Sequence, residues 1–205
     1  MRICLVDGSP KHKDSASHRI IESLESKLGG NLEYRHCNTA SVEQQELLSS
    51  MRGCDIIVIV FPLYIDGIPS HLLRLLCSIE PFAAETAHEA KLYVIAHNGF
   101  YEAHHNQTAL DMMRNFCDRA GLGWGQGAGI GASPFIHAVP AGKGPNKNMG
   151  RTLDILAGNI ISGQSSDNIF SKPNMPRFLY TLGGNMGWKN QAKRNGVKRK
   201  DLQGN

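Results

Sequence analysis

The segment from Asp55 to Phe61 constrains the fold of this 205-residue chain more than any other feature. Its interior reads Ile-Ile-Val-Ile-Val, so every interior residue is β-branched and none is polar. β-Branched residues favour strands, and a strand without polar alternation is one that is covered on both faces. Strands of this kind belong to parallel sheets with helices on either side. The segment therefore predicts an α/β fold.

The rest of the chain repeats a cycle of strand, loop and helix. Short apolar runs predict strands at residues 2–6, 32–36, 55–61, 91–96 and 123–132. The last of these alternates glycine with other residues, which indicates that another backbone or a ligand approaches closely. Apolar residues at helical spacing predict helices at residues 17–28, 41–51, 69–79, 109–120 and 149–161. Five such cycles predict a three-layer α/β/α sandwich around a five-stranded parallel sheet.

Length and composition favour one soluble domain. The chain is 41% hydrophobic and 20% charged, which is usual for globular proteins, and it is long enough for one buried core. We expect residues 1–165 to form the domain and residues 166–205 to be a basic and aromatic extension of it. No apolar run approaches the roughly 18 residues needed to span a bilayer, and no signal peptide is recognisable. We therefore expect a cytoplasmic protein without a membrane partner.

The C-terminal extension concentrates the positive charge of a chain whose net charge is +4. These side chains could contact nucleic acid or an anionic substrate, or they could only keep a terminal face hydrated. Blocks of like charge at a terminus commonly serve the second role, so a nucleic-acid partner is not expected. The basic residues are Lys189, Lys193, Arg194, Lys198, Arg199 and Lys200.

The loop at residues 8–17 joins the first strand to the first helix. In open parallel sheets, ligands bind beyond the carboxyl ends of the strands, where the strand order switches. This loop offers backbone N–H groups, hydroxyl groups and lysines at a helix start, all of which favour a phosphate. The alternative is that Asp14, Ser15 and Ser17 only cap the helix. The candidate ligand-binding residues of the loop are Ser9, Lys11, Ser15, Ala16 and Ser17.

Other phosphate-binding patterns do not fit the chain. No GxxxxGK[ST] sequence is present, so a nucleoside triphosphate site is not expected. Cys4 lacks an arginine at the spacing of a low-molecular-weight phosphatase loop, and the third strand ends in Phe61 rather than in a receiver-type aspartate. Residues 127–132 match G-x-G-x-x-A, but Ser133 and Pro134 follow without a strand-to-helix turn. A monophosphate therefore fits the first loop best.

Two further loops can supply the walls of a ligand site. Residues 61–69 follow the third strand with aromatic, apolar and proline residues that would form a stiff, flat wall. Residues 97–102 follow the fourth strand and offer imidazole, amide and phenol groups to the polar edge of a ring. Tyr64 and Tyr101 could alternatively be plain packing residues. The candidate residues are Pro62, Leu63, Tyr64 and Ile65 for the wall, and His97, Asn98, Gly99 and Tyr101 for the edge.

The chain resembles the NADPH-dependent FMN reductase group of flavodoxin-like proteins, which includes quinone and azo-compound reductases. The first match is the loop Gly8-Ser9-Pro10-Lys11 with Ser15 to Ser17 at the helix start. The second is Pro62-Leu63-Tyr64 followed by a helix led by Ile68-Pro69. The resemblance covers residues 1–161. The third loop, His97-Asn98-Gly99-Phe100, departs from the glycine-rich or threonine-rich turn that is common in the group.

This resemblance implies a flavodoxin-like sandwich with strand order 2-1-3-4-5 and bound FMN. It implies that NADPH or NADH reduces the flavin, which passes electrons to a small-molecule acceptor such as a quinone, an azo compound or free flavin. It also implies a homodimer or higher homo-oligomer. The cofactor carries the chemistry in such an enzyme, and the protein supplies orientation and electrostatics. Tyr101 and His97 are the candidate proton donors to a reduced product.

Two alternatives remain open at the level of sequence. One is a flavodoxin-like electron carrier or partner-binding module without catalytic activity, in which NAD(P)H does not reduce the flavin. The other is a metal site formed by His97, Glu102, His104 and His105, which lie close together in sequence. These four residues lack an established metal-ligand spacing, so no metal is predicted.

Overall fold

The structure is a computed structural model that describes residues 1–11, 13–30, 32–41, 43–86 and 90–197. It divides into two compact units, Met1–Pro173 and Asn174–Asn205. The strands of the first unit are β1 (Arg2–Asp7), β2 (Glu33–Asn38), β3 (Ile56–Pro62), β4 (Lys91–His97), β5 (Gly123–Ile130) and β6 (Ile169–Ser171). Its helices are α1 (Ala16–Leu28), α2 (Gln44–Met51), α3 (Ser70–Thr86), α4 (Gln107–Arg119) and α5 (Lys147–Ser162). Three short 3₁₀ segments lie at Ala103–Asn106, Ser133–His137 and Gly144–Asn146.

The sheet has six parallel strands in the order β2-β1-β3-β4-β5-β6, so the prediction of five strands is wrong. The order of the first five agrees with the prediction. β6 has only three residues and pairs with β5 between Ala128 and Ile130. A strand of three residues is too short to show a period of two, and the sequence around it is rich in polar residues. The apolar pattern therefore could not reveal it.

Helices cover the sheet on both sides, as the unbroken apolar run of β3 predicts. Leu24 of α1 and Leu153 of α5 are fully buried in the core on one face. Leu47 of α2, Leu72 of α3 and Met113 of α4 are buried in the core on the other face. Residues 56–61 of β3 are all buried, because that strand contributes side chains to both cores.

The glycines of β5 make room for other parts of the same chain. A Cβ on Gly129 would lie 2.5 Å from a ring atom of Phe170 in β6, and one on Gly127 would lie 2.5 Å from the Asn168 side-chain oxygen. The Asn168 oxygen also accepts a hydrogen bond from the Gly127 amide at 3.1 Å. The groups that approach this strand closely are therefore the side chains of Asn168 and Phe170.

The carboxyl ends of the central strands meet at one edge of the sheet. Asp7 at the end of β1 is in register with Val60, and Pro62 at the end of β3 is in register with His97. His97 in turn is in register with Ile130, the last residue of β5. The strand order reverses between β1 and β3, where a crevice is expected. The loops after β1, β3, β4 and β5 thus begin side by side.

The second unit contains one helix, α6 (Arg177–Arg194), within its described residues 174–197. No side chain of α6 is buried, and Phe178 and Trp188 are among its exposed aromatic residues. Among the helices that the structure describes, none combines the length and the apolar character required to cross a membrane.

Candidate functional site

Asp7, the last residue of β1, holds the loop that follows it. Its buried carboxylate accepts hydrogen bonds from the Ser9 amide (2.9 Å), the Ser15 hydroxyl (2.9 Å) and the Asn38 side-chain amide (3.1 Å). Burial raises the pKa of Asp7 above its ordinary value, while these hydrogen bonds oppose the rise. Asp7 is not among the predicted site residues, because a lone aspartate at a strand end is a common turn residue.

Gly8 is required by packing at the point where the loop leaves the sheet. Its amide donates a 2.8 Å hydrogen bond to the carbonyl of Val60. A Cβ at this position would lie 2.9 Å from the Leu72 side chain and 2.9 Å from the Cβ of Phe61. The backbone of the loop is thereby pressed against β3 and α3.

Ser15 caps the first helix, which is the role that the alternative interpretation of this loop gives it. Its Oγ accepts a 2.9 Å hydrogen bond from the His18 amide, and its proton goes to Asp7. Among the described residues, no acceptor pairs with the amides of Ala16 and Ser17 in the first turn. Unpaired amides at a helix start are the groups that bind anions. The loop therefore caps α1 and leaves the amide of Ala16, which lies in the pocket lining, as a backbone donor for a ligand.

His97, at the end of β4, connects the first helix to the segment after β5. Its Nε2 lies 2.8 Å from the Ser17 hydroxyl, and its Nδ1 lies 2.8 Å from the Ser133 hydroxyl. The imidazole is only 3% exposed. The Ser17 side chain is therefore engaged with His97 and is not available to a ligand.

The hydrogen bonds of Ser133 define the tautomer of His97. The Ser133 hydroxyl donates to the Asn98 carbonyl at 3.0 Å, so it accepts the proton of His97 Nδ1. His97 Nε2 then accepts the proton of Ser17. Burial, with a smaller contribution from the charge of His137, lowers the pKa of His97 to about 3. The imidazole is neutral at physiological pH, which favours a positioning role over the donation of a proton.

The loop after β3 forms a wall and then a tight turn. Pro62, Leu63 and Tyr64 form the wall, and Tyr64 and Gly67 exchange two backbone hydrogen bonds of 3.1 Å. Between them, Ile65 and Asp66 have φ angles of 51° and 55°. Two successive positive φ angles are typical of a type I′ turn, in which a β-branched residue is strained. The Ile65 side chain points away from the wall and is fully exposed.

The loop after β4 is braced by the Asn98 side chain. Its oxygen accepts a 2.9 Å hydrogen bond from the Phe100 amide, and its nitrogen donates to the Glu102 carbonyl at 3.3 Å. Asn98 and Gly99 face the pocket, whereas Tyr101 is half-buried outside its lining. The amide of Asn98 therefore shapes the loop, and the backbone around Gly99 presents the polar edge.

The 3₁₀ segment Ser133–His137 after β5 also contributes to the site. Pro134 lies 3.9 Å from the place that a Cβ on Gly99 would occupy. His137 Nδ1 lies 3.8 Å from the Asp14 carboxylate in the first loop. These residues are not predicted as site residues, because the predicted site comprises only the loops after the first, third and fourth strands. The position of Ser133 and Pro134 directly after a predicted strand was the available indication.

These four loops enclose one pocket of about 300 Å³ at the carboxyl end of the sheet. The volume is at the lower end of the range for small-molecule sites. Predicted residues in its lining are Ser9, Lys11, Ser15, Ala16, Pro62, Leu63, Tyr64, His97, Asn98 and Gly99. The lining also contains Ser133, Pro134 and His137, and the predicted residues outside it are Ser17, Ile65 and Tyr101.

The two ends of the pocket differ in chemistry, as is required of a site that binds a flat ring with a phosphate on its side chain. One end carries Ser9, Lys11 and the first turn of α1, which suit a phosphate. The other end carries Pro62, Leu63 and Tyr64 beside Asn98 and Gly99, which suit a flat ring with a polar edge. The residues present therefore fit FMN.

The histidines proposed as alternative metal ligands point to different partners. His97 is held between two serines, the His104 ring stacks on Phe170 at 4.4 Å, and the His105 ring lies 4.7 Å from Phe100. Within the described part of the chain, no three His, Cys, Asp or Glu side chains are grouped as metal ligands. The geometry gives the metal alternative no support.

Comparison with solved structures finds the same fold at low sequence identity. An NADH:FMN oxidoreductase (EMOB, apo form) aligns with a TM-score of 0.64 and 16% identity, over 80% of this chain and 90% of that chain. An NADPH-quinone reductase from P. pentosaceus gives 0.55 and 14%, over 77% and 96%. A short-chain flavodoxin associated with a bacterial microcompartment gives 0.58 and 13%, over 80% and 100%.

No protein-family profile and no curated protein sequence matches the chain. The solved structures that align include flavodoxins and flavodoxin-like reductases, which is the group that the sequence motifs resemble. At these identities the agreement establishes the fold, and the order of the first five strands is that of flavodoxin. The chain therefore has the flavodoxin-like fold, extended by a sixth strand.

Proposed function

We propose that this protein is an FMN-dependent NAD(P)H oxidoreductase that passes electrons to a small-molecule acceptor such as a quinone, an azo compound or free flavin. The observation that carries the proposal is the pocket, in which an open helix start and a flat apolar wall face a polar loop. The pocket lies at the switch between β1 and β3, which is where flavodoxin holds FMN. The aligned NADH:FMN oxidoreductase and quinone reductase support the same kind of activity.

The phosphate of FMN would bind at the α1 end of the pocket. The amide of Ala16 and the positive end of the helix dipole favour an anion there, and Lys11 adds a charge. The buried Asp7 carboxylate lies near this end, and its negative charge is stabilised by three hydrogen bonds from within the protein.

The ring of FMN would lie against Pro62, Leu63 and Tyr64, with its polar edge towards Asn98 and Gly99. When bound, FMN accepts hydride from a nicotinamide and delivers electrons to the acceptor. The protein supplies orientation, because His97 fixes the first turn of α1 relative to the loop after β4. Tyr101 remains the proposed proton donor to a reduced acceptor, whereas we assign His97 to positioning.

Ala16→Asp tests the proposed phosphate site without weakening the helix. An acidic residue in the first turn of a helix is favourable for the helix, but its charge would occupy the place of the phosphate. We expect FMN to bind at least tenfold more weakly, while riboflavin, which lacks the phosphate, binds as before. Ala16→Asn is the neutral control of the same shape and should bind FMN within about threefold of the parent. Fluorescence titration measures both flavins.

Equal losses for FMN and riboflavin in the Ala16→Asp variant would contradict the proposed orientation. Tight FMN binding that this charge does not weaken would contradict the phosphate site itself.

A further inference from the structure

We infer that His137 binds the phosphate of FMN together with Lys11. The inference rests on the proposed function and names a binding residue within that site. His97 is the other imidazole in the pocket lining, and it is buried between two serines. Lys11 and His137 are the basic residues of the lining that can offer an N–H group to an anion.

The course of the segment Ser133–His137 places His137 at the phosphate end. Its first residues lie beside the ring-edge loop, where Ser133 bonds to His97 and Pro134 approaches Gly99. Its last residue reaches the first loop, where His137 Nδ1 lies 3.8 Å from Asp14. The segment therefore spans the pocket from the ring end to the phosphate end. The His137 side chain is 35% exposed, so a ligand and protons can reach it.

The charged groups around His137 leave it available to a phosphate. Asp14 is the facing carboxylate, but it already pairs with Arg19, whose Nε donates a 2.8 Å hydrogen bond to Oδ1 and whose Nη2 lies 2.7 Å from the same oxygen. Lys11 lies in the same loop, and His18 on α1 pairs with Glu22 at 3.5 Å. From β4 the facing group is the neutral His97. The segment Gly144–Asn146, which packs on the other side, carries no ionisable side chain.

An imidazole can add one hydrogen bond to those that Lys11 offers an anion. A ring N–H of His137 can donate to a phosphate oxygen, beside the ammonium group of Lys11. Hydrogen bonds to a charged group are about twice as strong as neutral ones. FMN binding should therefore weaken when the ring of His137 is removed. Riboflavin lacks the phosphate, and its binding should not change.

The test compares FMN and riboflavin dissociation constants of the parent and of His137→Leu, measured on the whole chain at one pH. We expect the variant to bind FMN about tenfold more weakly, as the loss of one hydrogen bond to a charged group implies, and to bind riboflavin as before. His137→Gln keeps an N–H donor and should bind FMN within about threefold of the parent. His36→Leu is the control, because His36 pairs with Glu25 at 3.3 Å and lies outside the pocket.

Equal FMN affinity in the parent and in His137→Leu would overturn the inference and leave the proposed function intact. An equal loss of affinity for riboflavin and for FMN would also overturn it, because the effect would not involve the phosphate. If the parent binds neither flavin, the proposed function fails and the inference fails with it.

Discussion

At the scale of single residues, His97 shows what a sequence can indicate and what it cannot. Its position at the end of a predicted strand correctly indicates that it lies in the pocket lining. Its role depends on Ser17 and Ser133, which lie 80 and 36 residues away in sequence. No local pattern reveals such contacts. Our proposal that His97 positions the first turn of α1 rests on burial and on two hydroxyl partners that only the fold brings together.

The lowered pKa of His97 predicts a pH dependence of stability. The folded state has a pKa of about 3, and an unfolded histidine titrates near 6.5, so the unfolded chain binds more protons between these values. Stability contributed by the neutral ring is therefore present above pH 6.5 and is lost as the pH falls towards 3. Between pH 7 and pH 5 the loss from this group is about 2 kcal/mol.

Urea unfolding at both pH values measures this loss in the parent and in His97→Gln. The variant should be less stable overall but should lose about 2 kcal/mol less than the parent on acidification. The exposed His36→Gln variant should behave like the parent. Parallel pH profiles of the variant and the parent would show that His97 takes up a proton in the folded state as readily as in the unfolded state, which would contradict the lowered pKa.

At the scale of elements, the predictable and unpredictable parts of the sheet have different physical causes. β3 is recognisable because every residue of its buried run is apolar and all of them except Phe61 are β-branched. β6 is not recognisable, because its three residues pack on a strand in which every second residue is a glycine. The glycines at positions 127 and 129 are the indication, since a strand face without side chains leaves room for a close neighbour. Likewise, the segment Ser133–His137 has no helical or strand periodicity from which its position in the pocket lining could be predicted.

Gly129→Ala tests the packing of β6 on β5. The new Cβ would lie 2.5 Å from the Phe170 ring and 3.1 Å from the Ala103 carbonyl, so β6 would have to move. We expect the free energy of unfolding to fall by about 1–3 kcal/mol, as is usual for overpacked sites. In the double variant with Phe170→Ala, part of this loss should be recovered, because the clashing ring is removed.

Gly158→Ala is the matched control for this substitution. Gly158 lies within α5 with no atom within 4 Å of an added Cβ, and alanine is the better helix former. Its variant should be as stable as the parent or up to about 1 kcal/mol more stable. An unchanged stability of Gly129→Ala by chemical denaturation would contradict the observed contact with β6.

At the scale of the whole molecule, the exposed residues at the mouth of the pocket concern assembly. Tyr64, Ile65 and Phe100 expose 48%, 103% and 52% of their surface and belong to the two loops that form the ring end. Apolar side chains grouped beside a ligand site commonly mark an interaction surface. We propose that a second copy of this chain covers them, in keeping with the dimer that the resemblance implies.

Sedimentation velocity tests this proposal with Ile65→Asp. Aspartate tolerates the positive φ at this position better than isoleucine, so the variant should fold at least as well as the parent. It should nevertheless sediment as a monomer at concentrations at which the parent is a dimer. Ile155→Asp is the control, because Ile155 is also exposed but lies on α5. A monomeric parent, or a dimer that survives Ile65→Asp, would contradict the proposed surface.

The central claim is that this pocket holds FMN so that a nicotinamide can reduce it. The direct test is to load the purified protein with FMN and follow the visible flavin absorbance anaerobically during additions of NADPH and then NADH. We predict stoichiometric binding and bleaching by at least one of the two nucleotides, followed by recovery of the absorbance when a quinone is added. Failure to bind FMN would contradict the account of the pocket, and binding without bleaching by either nucleotide would contradict the proposed enzyme and favour an electron carrier.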